Sequence, residues 1–97
     1  MIKNIKVINN QLGNIIKILN RKDIKSIHEI YVSEVNYKKT KGWNFHKKAT
    51  CKIFIFEGEI KFHLTKNFKI YKEVLLSSKD YKLFIIKPKT WFKFKGL

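Results

Sequence analysis

Apolar and polar residues take turns along most of this chain, and a period of two predicts β-strands rather than helices. The middle is clearest. Residues 50–56 and 60–64 are aromatic and β-branched runs joined by Glu57-Gly58-Glu59, which predicts an antiparallel hairpin with a tight turn. A second antiparallel pair, residues 68–76 and 81–86, flanks Ser77-Ser78-Lys79-Asp80, whose side chains favour turns by bonding to nearby backbone. Pro88 is confined to a strand edge or a turn, so residues 90–94 are expected to form a last strand beyond it.

Upstream the pattern weakens. Residues 14–19 are a short apolar run after the turn-like Gln11-Leu12-Gly13-Asn14, predicting a first strand, and polar residues 21–26 read as a loop. Residues 27–35 predict a strand with mixed faces: Ile27, Glu29, Tyr31, Ser33 and Val35 on one, His28, Ile30, Val32 and Glu34 on the other. Residues 36–40 then turn into the segment 42–46. The N-terminal ten residues alternate Ile and Val with Lys and Asn, without the continuous apolar region of a signal peptide, and no apolar run approaches the roughly 18 residues of a membrane span. Short strands with regular turns, no linker and no repeat predict one all-β domain over residues 1–97, a sandwich, barrel or jelly roll.

Composition sharpens this in three ways. At 97 residues the chain is near the lower size at which one core supports itself, so association with a second copy would help. Hydrophobic content of 44% with 14% aromatic residues still demands a packed core. The single Cys51 excludes an intrachain disulfide and fits a reducing, cytoplasmic setting. A net charge of +15 invites phosphate-bearing partners, but Arg21 is the only arginine, and arginine is the side chain that forks onto phosphates and guanine edges. A solvated lysine surface is therefore the first expectation. Nucleic-acid binding is the lesser alternative, and it requires a continuous lysine patch.

Candidate chemistry centres on Lys41-Gly42-Trp43-Asn44-Phe45-His46-Lys47-Lys48. One strand period separates Asn44 from His46, so both project from the same face, which in a small barrel can line a ligand cavity. Lys41 offers a point charge for phosphate, or is a solvated loop lysine. Lys52 faces the cavity or forms the polar side of its strand. Tyr31 and Trp91 offer rings for stacking on a base or sugar, with core packing as the alternative for Trp91. Lys47 and Lys48 read as surface charges, and His28 and His63 lack any motif around them. No Ser/His/Asp set and no glycine-rich phosphate loop is present, which disfavours hydrolases and nucleotide triphosphatases.

Several segments in order resemble the cupins that include dTDP-4-dehydrorhamnose 3,5-epimerases and the related dTDP-4-keto-6-deoxyhexose ketoisomerases. They are Ile30-Tyr31-Val32-Ser33, the Lys41 to Lys48 stretch, the Glu57-Gly58-Glu59-Ile60-Lys61 turn, Leu75 to Lys82, and Ile85 to Phe92 with its proline turn. The resemblance covers residues 12 to 97 and implies a small cupin-like jelly roll or β-barrel acting on a nucleotide-diphosphate sugar in cell-surface polysaccharide biosynthesis. In such enzymes a base removes the proton beside the sugar's 4-keto group, and a donor stabilises the enolate oxygen.

The resemblance also marks departures. The family's usual base, the first histidine of a His-x-His pair, falls on Asn44, whose amide cannot take a proton but can hydrogen-bond a hydroxyl or carbonyl. That leaves His46 as the candidate base, since an imidazole accepts a proton near neutral pH. Asn44, Cys51 and Phe92 stand where metal-binding cupins would have ligands, so no bound metal or other cofactor is expected. Family members usually continue through further strands and a proton-donating tyrosine beyond the equivalent of Leu97. A sheet completed by a second copy, in a homodimer, is the expectation that follows. Two functions result: an epimerase or ketoisomerase, impaired by Asn44, or a noncatalytic sugar-nucleotide binder that shapes a partner enzyme.

Overall fold

The computed structural model describes all 97 residues and is nearly all β, in two facing sheets that stay open rather than closing into a barrel. Nine strands and one short helix follow in order: β1 (Ile2–Asn4), β2 (Lys6–Ile8), β3 (Ile15–Lys17), α1 (Arg21–Ile24), β4 (Thr40–Phe45), β5 (Cys51–Ile53), β6 (Glu59–Thr65), β7 (Tyr71–Ser77), β8 (Lys82–Ile86) and β9 (Trp91–Gly96). The larger sheet has the order β4-β9-β6-β7, the smaller β1-β8-β5, and β2 with β3 makes a separate ribbon.

The larger sheet turns Phe62, Val74, Leu76 and Phe92 inward, and the smaller meets them with Phe84 and Ile86. Phe62 and Phe84 pack edge to face across the gap, 5.1 Å between ring centroids. Removing such rings from water is the main favourable term in the fold. These inward positions recur at a period of two along each strand, because alternate side chains share a face.

Alternation does not report which strand lies beside which. The two expected hairpins are not formed. β5 pairs with β8 rather than β6, and β7 pairs with β6 rather than β8. Glu57-Gly58 and Ser77 to Asp80 instead carry the chain from one sheet to the other, side by side, with the Ser78 amide donating to the Gly58 carbonyl at 2.9 Å. Two amphipathic strands bury their apolar faces equally well as neighbours in one sheet or as partners across a sandwich, so alternation leaves both open.

The true hairpin joins β6 to β7 through residues 66–70, part of which the sequence assigned to a strand. Thr65 organises it: its hydroxyl donates to the Ile70 carbonyl at 2.7 Å and accepts from the Phe68 amide at 3.0 Å. The Asn67 carboxamide oxygen accepts from the amides of Lys69 and Ile70, and Phe68 takes a left-handed φ of 57°. These are side-chain-to-backbone turn bonds of the kind that compete with a ladder.

The mixed-face strand expected at residues 27–35 is also absent. The segment has no ladder partner, and Ile30, Tyr31 and Val32 are 80%, 71% and 76% exposed. With Glu29 beside Tyr31 on one face and Glu34 beside Val32 on the other, neither face is apolar enough to bury. Residues 21–26 hold the helix α1 rather than a plain loop. Asn20 caps it, its side chain accepting from the Asp23 amide while the Asp23 carboxylate accepts from the Asn20 amide, a reciprocal capping box.

Candidate functional site

Strand register decides what each side chain of β4 faces. Asn44 is paired with Phe92 and Phe92 with Leu64, so Asn44 shares the inward face of the larger sheet with two core residues. Past a bulge between Lys41 and Asn44, Phe45 pairs with Trp91 and takes the opposite face. His46 follows directly after β4, half-buried, with its ring 6.0 Å from that of Phe92 and 34° from parallel. Its carbonyl accepts from the Lys89 amide at 2.7 Å, tying the end of β4 to the turn before β9. The structure thus brings Asn44 and His46 together at one end of the inward face. An amide and an imidazole there can hydrogen-bond sugar hydroxyls or a carbonyl, and the imidazole can also carry a proton.

The bulge depends on Gly42. It adopts φ of 127°, where side chains are strained, and a Cβ there would lie 2.6 Å from the Cβ of Lys93.

The other sequence candidates lie apart. Lys41 is exposed and its Nζ donates to the Ser33 hydroxyl at 3.2 Å. Lys52 pairs with Ile85, whose side is opposite the inward-facing Phe84 and Ile86, and its ammonium lies 3.2 Å from the Asp23 carboxylate of α1. The hydrogen bond from the Asn20 amide, followed by Lys52, holds that carboxyl below its ordinary range. Tyr31 stands in the unpaired segment, and Trp91 is on the outward face with Phe45, 4.6 Å between centroids.

Neither of the two main surface clefts is lined by Asn44 or His46. One, about 610 Å³, lies at the hairpin end of the gap between the sheets, with Leu64, Ile70 and Ile86 as floor and Lys66, Lys72 and Lys87 at its rim. Between the sheets, Phe62, Phe84 and Phe92 fill the space. The other cleft is a shallow bowl of about 680 Å³ on the outward face, lined by Phe45, Lys47, Lys48, Lys66, Lys89 and Trp91. Sequence analysis missed this second grouping. Its signal was present in Trp43 and Phe45, which alternate out of phase with Asn44 and His46.

No three His, Cys, Asp or Glu side chains converge as metal ligands would. Cys51 pairs with Ile86 against the core, and burial pushes its thiol above the usual range, which removes nucleophilic thiolate at neutral pH. No helix is long and apolar enough to cross a membrane.

Comparison with known proteins bears on this geometry. Three similar solved structures share the fold. The sugar 3,4-ketoisomerase QdtA from Thermoanaerobacterium thermosaccharolyticum, in complex with TDP, superposes with a TM-score of 0.83 at 22% identity, over 99% of this chain and 70% of that one. A variant of QdtA with one histidine exchanged for asparagine, in complex with TDP-4-keto-6-deoxyglucose, gives 0.81 at 24% identity, over 99% and 70%. The WlaRB TDP-quinovose 3,4-ketoisomerase from Campylobacter jejuni gives 0.75 at 22%, over 100% of this chain and 75% of that one. No curated protein sequence matches significantly. The family model described as FdtA: WxcM-like, C-terminal matches residues 1–95, nearly the whole chain, and the protein belongs to that family, with the cupin-like fold of the sugar ketoisomerases.

Proposed function

We propose that this protein binds a TDP-linked 4-keto-6-deoxyhexose and acts on it as a ketoisomerase through His46. The observation that carries this is the pairing of Asn44 and His46 on the inward face, within the fold of relatives crystallised with TDP and with TDP-4-keto-6-deoxyglucose. His46 takes the proton from the carbon beside the ketone, an enediol forms, and the proton returns to the former carbonyl carbon while the neighbouring hydroxyl becomes the new ketone. Asn44 donates its amide N–H to the oxygen that gathers charge. Lys72 and Lys87, at the rim of the hairpin-end cleft, supply point charges for the diphosphate, with Lys41 as a further candidate.

The test is proton exchange. With TDP-4-keto-6-deoxyglucose in heavy water, deuterium enters the ring beside the ketone; His46→Asn abolishes this, and Asn44→His raises it by about 10²-fold or more, the scale of one positioned general base. Failure of the folded protein to bind either TDP or the keto sugar overturns the proposal.

A second reading is favoured by Asn44 itself: a sugar-nucleotide binder without turnover. The QdtA variant shows that a ketoisomerase can exchange a histidine for asparagine and still be obtained with its sugar nucleotide. Tight binding without deuterium entry selects this reading. In either case the work belongs to polysaccharide precursor synthesis in a reducing cytoplasm, and the protein is a homodimer. The exposed Ile30, Tyr31 and Val32 and the open sheet edges favour a second copy as their cover. Sedimentation at micromolar concentration distinguishes dimer from monomer, and a monomer removes this part.

A further inference from the structure

The outward face of the larger sheet carries a set of side chains that sugar isomerisation does not use. Five rings form one connected group there. Phe45 stacks on Trp91 at 4.6 Å, Phe68 lies 5.2 Å from Trp91 and 5.3 Å from Trp43, and Tyr71 lies 6.2 Å from Trp43. Tyr71 is 54% and Phe68 44% exposed, while Trp43, Phe45 and Trp91 are half-buried among one another and keep part of their surface open. Rings on a solvated sheet face cost hydrophobic free energy unless a partner stacks on them.

The surrounding charge has one sign. Lys47, Lys48, Lys66 and Lys89 line the bowl around Phe45 and Trp91, and no carboxylate does. The ammonium of Lys93 sits 4.7 Å over the Trp43 ring. Of all the lysines only Lys52 and Lys61 have a carboxylate partner within ion-pair distance. On this face that partner is Glu73, across from His63 and toward the far edge of the sheet. A second copy of the same face is a poor cover, because it would oppose two sets of unpaired lysines.

We propose that this outward face binds single-stranded nucleic acid, with bases stacked on Trp91, Phe45 and Trp43 and phosphates held by Lys47, Lys48, Lys66 and Lys89. A row of rings crossing a sheet, flanked by lysines, meets both halves of a nucleotide: the base plane by stacking, and the phosphate by charge. The face is extended, and its ring group runs on beyond the bowl to Trp43 and Tyr71, which fits a strand of several nucleotides better than a single one. Lysine does not fork onto base edges as arginine does, so the binding is indifferent to sequence. The face lies on the side of β4 away from Asn44, so this inference stands independently of the proposed isomerase.

The test uses the full chain and a fluorescein-labelled twelve-residue oligothymidine, followed by anisotropy and by tryptophan emission. Binding quenches tryptophan, and four neutralised phosphates give a slope of about −3 in log affinity against log salt. Trp91→Ala weakens binding by about tenfold, on the scale of one lost base stack, while Trp91→Phe retains most of it. The double change Lys47→Ala with Lys48→Ala lowers the magnitude of the salt slope by about 1.4. Circular dichroism confirms that each variant is folded, and the lysine pair decides the matter if Trp91→Ala is not. Binding of inorganic polyphosphate or heparin as tight as that of the oligonucleotide, with tryptophan emission unchanged, overturns the proposal by reducing it to general charge attraction. So does preference for a duplex of the same sequence, or a lysine double variant that alters only self-association.

Discussion

Residues 59–97 and residues 1–58 share the same alternating pattern and build with it differently. Every buried residue, from Phe62 to Gly96, belongs to the later part, while the earlier part contributes only half-buried and exposed side chains. β6, β7 and β9 are six or seven residues long and laddered to one another, whereas β1, β2 and β3 have three residues each. A strand of three residues has too few inward positions to bury, so its order depends on what it leans against. The later part holds three laddered strands of the larger sheet and β8 facing them, and the ladder partners of β8 come from the earlier part. The earlier part is draped on the later one, and Asn44 and His46 sit at the boundary, on a strand whose only ladder partner is β9.

The largest expected effect tests the core directly. Phe84 is 2% exposed and packs on Phe62 from the facing sheet, so Phe84→Ala should cost about 3–5 kcal/mol, a large share of the stability of a small domain. Ile30→Ala, at a position 80% exposed in the single chain, should change the stability of the dilute monomer by no more than about 0.5 kcal/mol. Urea titration followed by circular dichroism compares the two. A comparable loss at Ile30 in the dilute monomer would break the distinction, whereas a loss that appears only at dimerising concentrations marks the cover by a second copy.

Next in size is the seam between the parts. The backbone at residues 35–39 is fixed against β9 by a parallel bridge from Tyr37 to Gly96, the Lys38 amide donating to the Gly96 carbonyl at 2.9 Å and the Gly96 amide to the Lys39 carbonyl at 3.1 Å. Only glycine permits the approach: a Cβ at Gly96 would stand 2.7 Å from the Asn36 carbonyl oxygen and 3.0 Å from that of Val35, both backbone atoms that cannot swing aside. Gly96→Ala should therefore cost about 1–3 kcal/mol. Hydrogen exchange should quicken at Lys38 while the β6–β7 amides stay protected. Uniform loss of protection would show that the seam and the sheet unfold as one unit.

The same division explains what could be read from the sequence. Phe62, Leu64, Phe92 and Phe94 share the inward face because long strands repeat the alternation often enough to be unambiguous, whereas the cupin likeness drew on segments of both parts, from Ile30–Ser33 and Lys41–Lys48 to Ile85–Phe92. Pairing was not legible, since Glu57-Gly58-Glu59 is as good a crossover as it is a hairpin. Residues 27–35 alternate yet form no strand, because Glu29 and Glu34 leave neither face apolar enough to bury. At the site, the phase of Asn44 and His46 could be counted along β4, but the bulge at Gly42 that sets it against Phe92 could not. The outward rings went unnoticed for a related reason. Aromatic residues in a small domain are usually spent on the core, and only the register of Phe45 with Trp91 shows that these are not.

The smallest effect concerns α1, tied to the smaller sheet by the ion pair of Asp23 with Lys52 on β5. Asn20→Ala removes the cap and should cost about 1 kcal/mol or less, seen as faster exchange of the Asp23 amide. Acid reaches the same contact by another route. The Asn20 amide and then Lys52 hold the Asp23 carboxyl below its ordinary 3.8, so the folded state binds this proton less readily than the unfolded one. The contribution is therefore complete above that ordinary value and disappears as pH falls through the lower folded one. Because Asp23 lies at the surface and α1 buries no residue, the loss should remain local: the Lys52 and Asp23 resonances shift together while the amides of β6 and β9 do not. Acid melting of the whole domain through the same midpoint would instead make α1 a support of the core, and the earlier part could no longer be described as draped upon the later one.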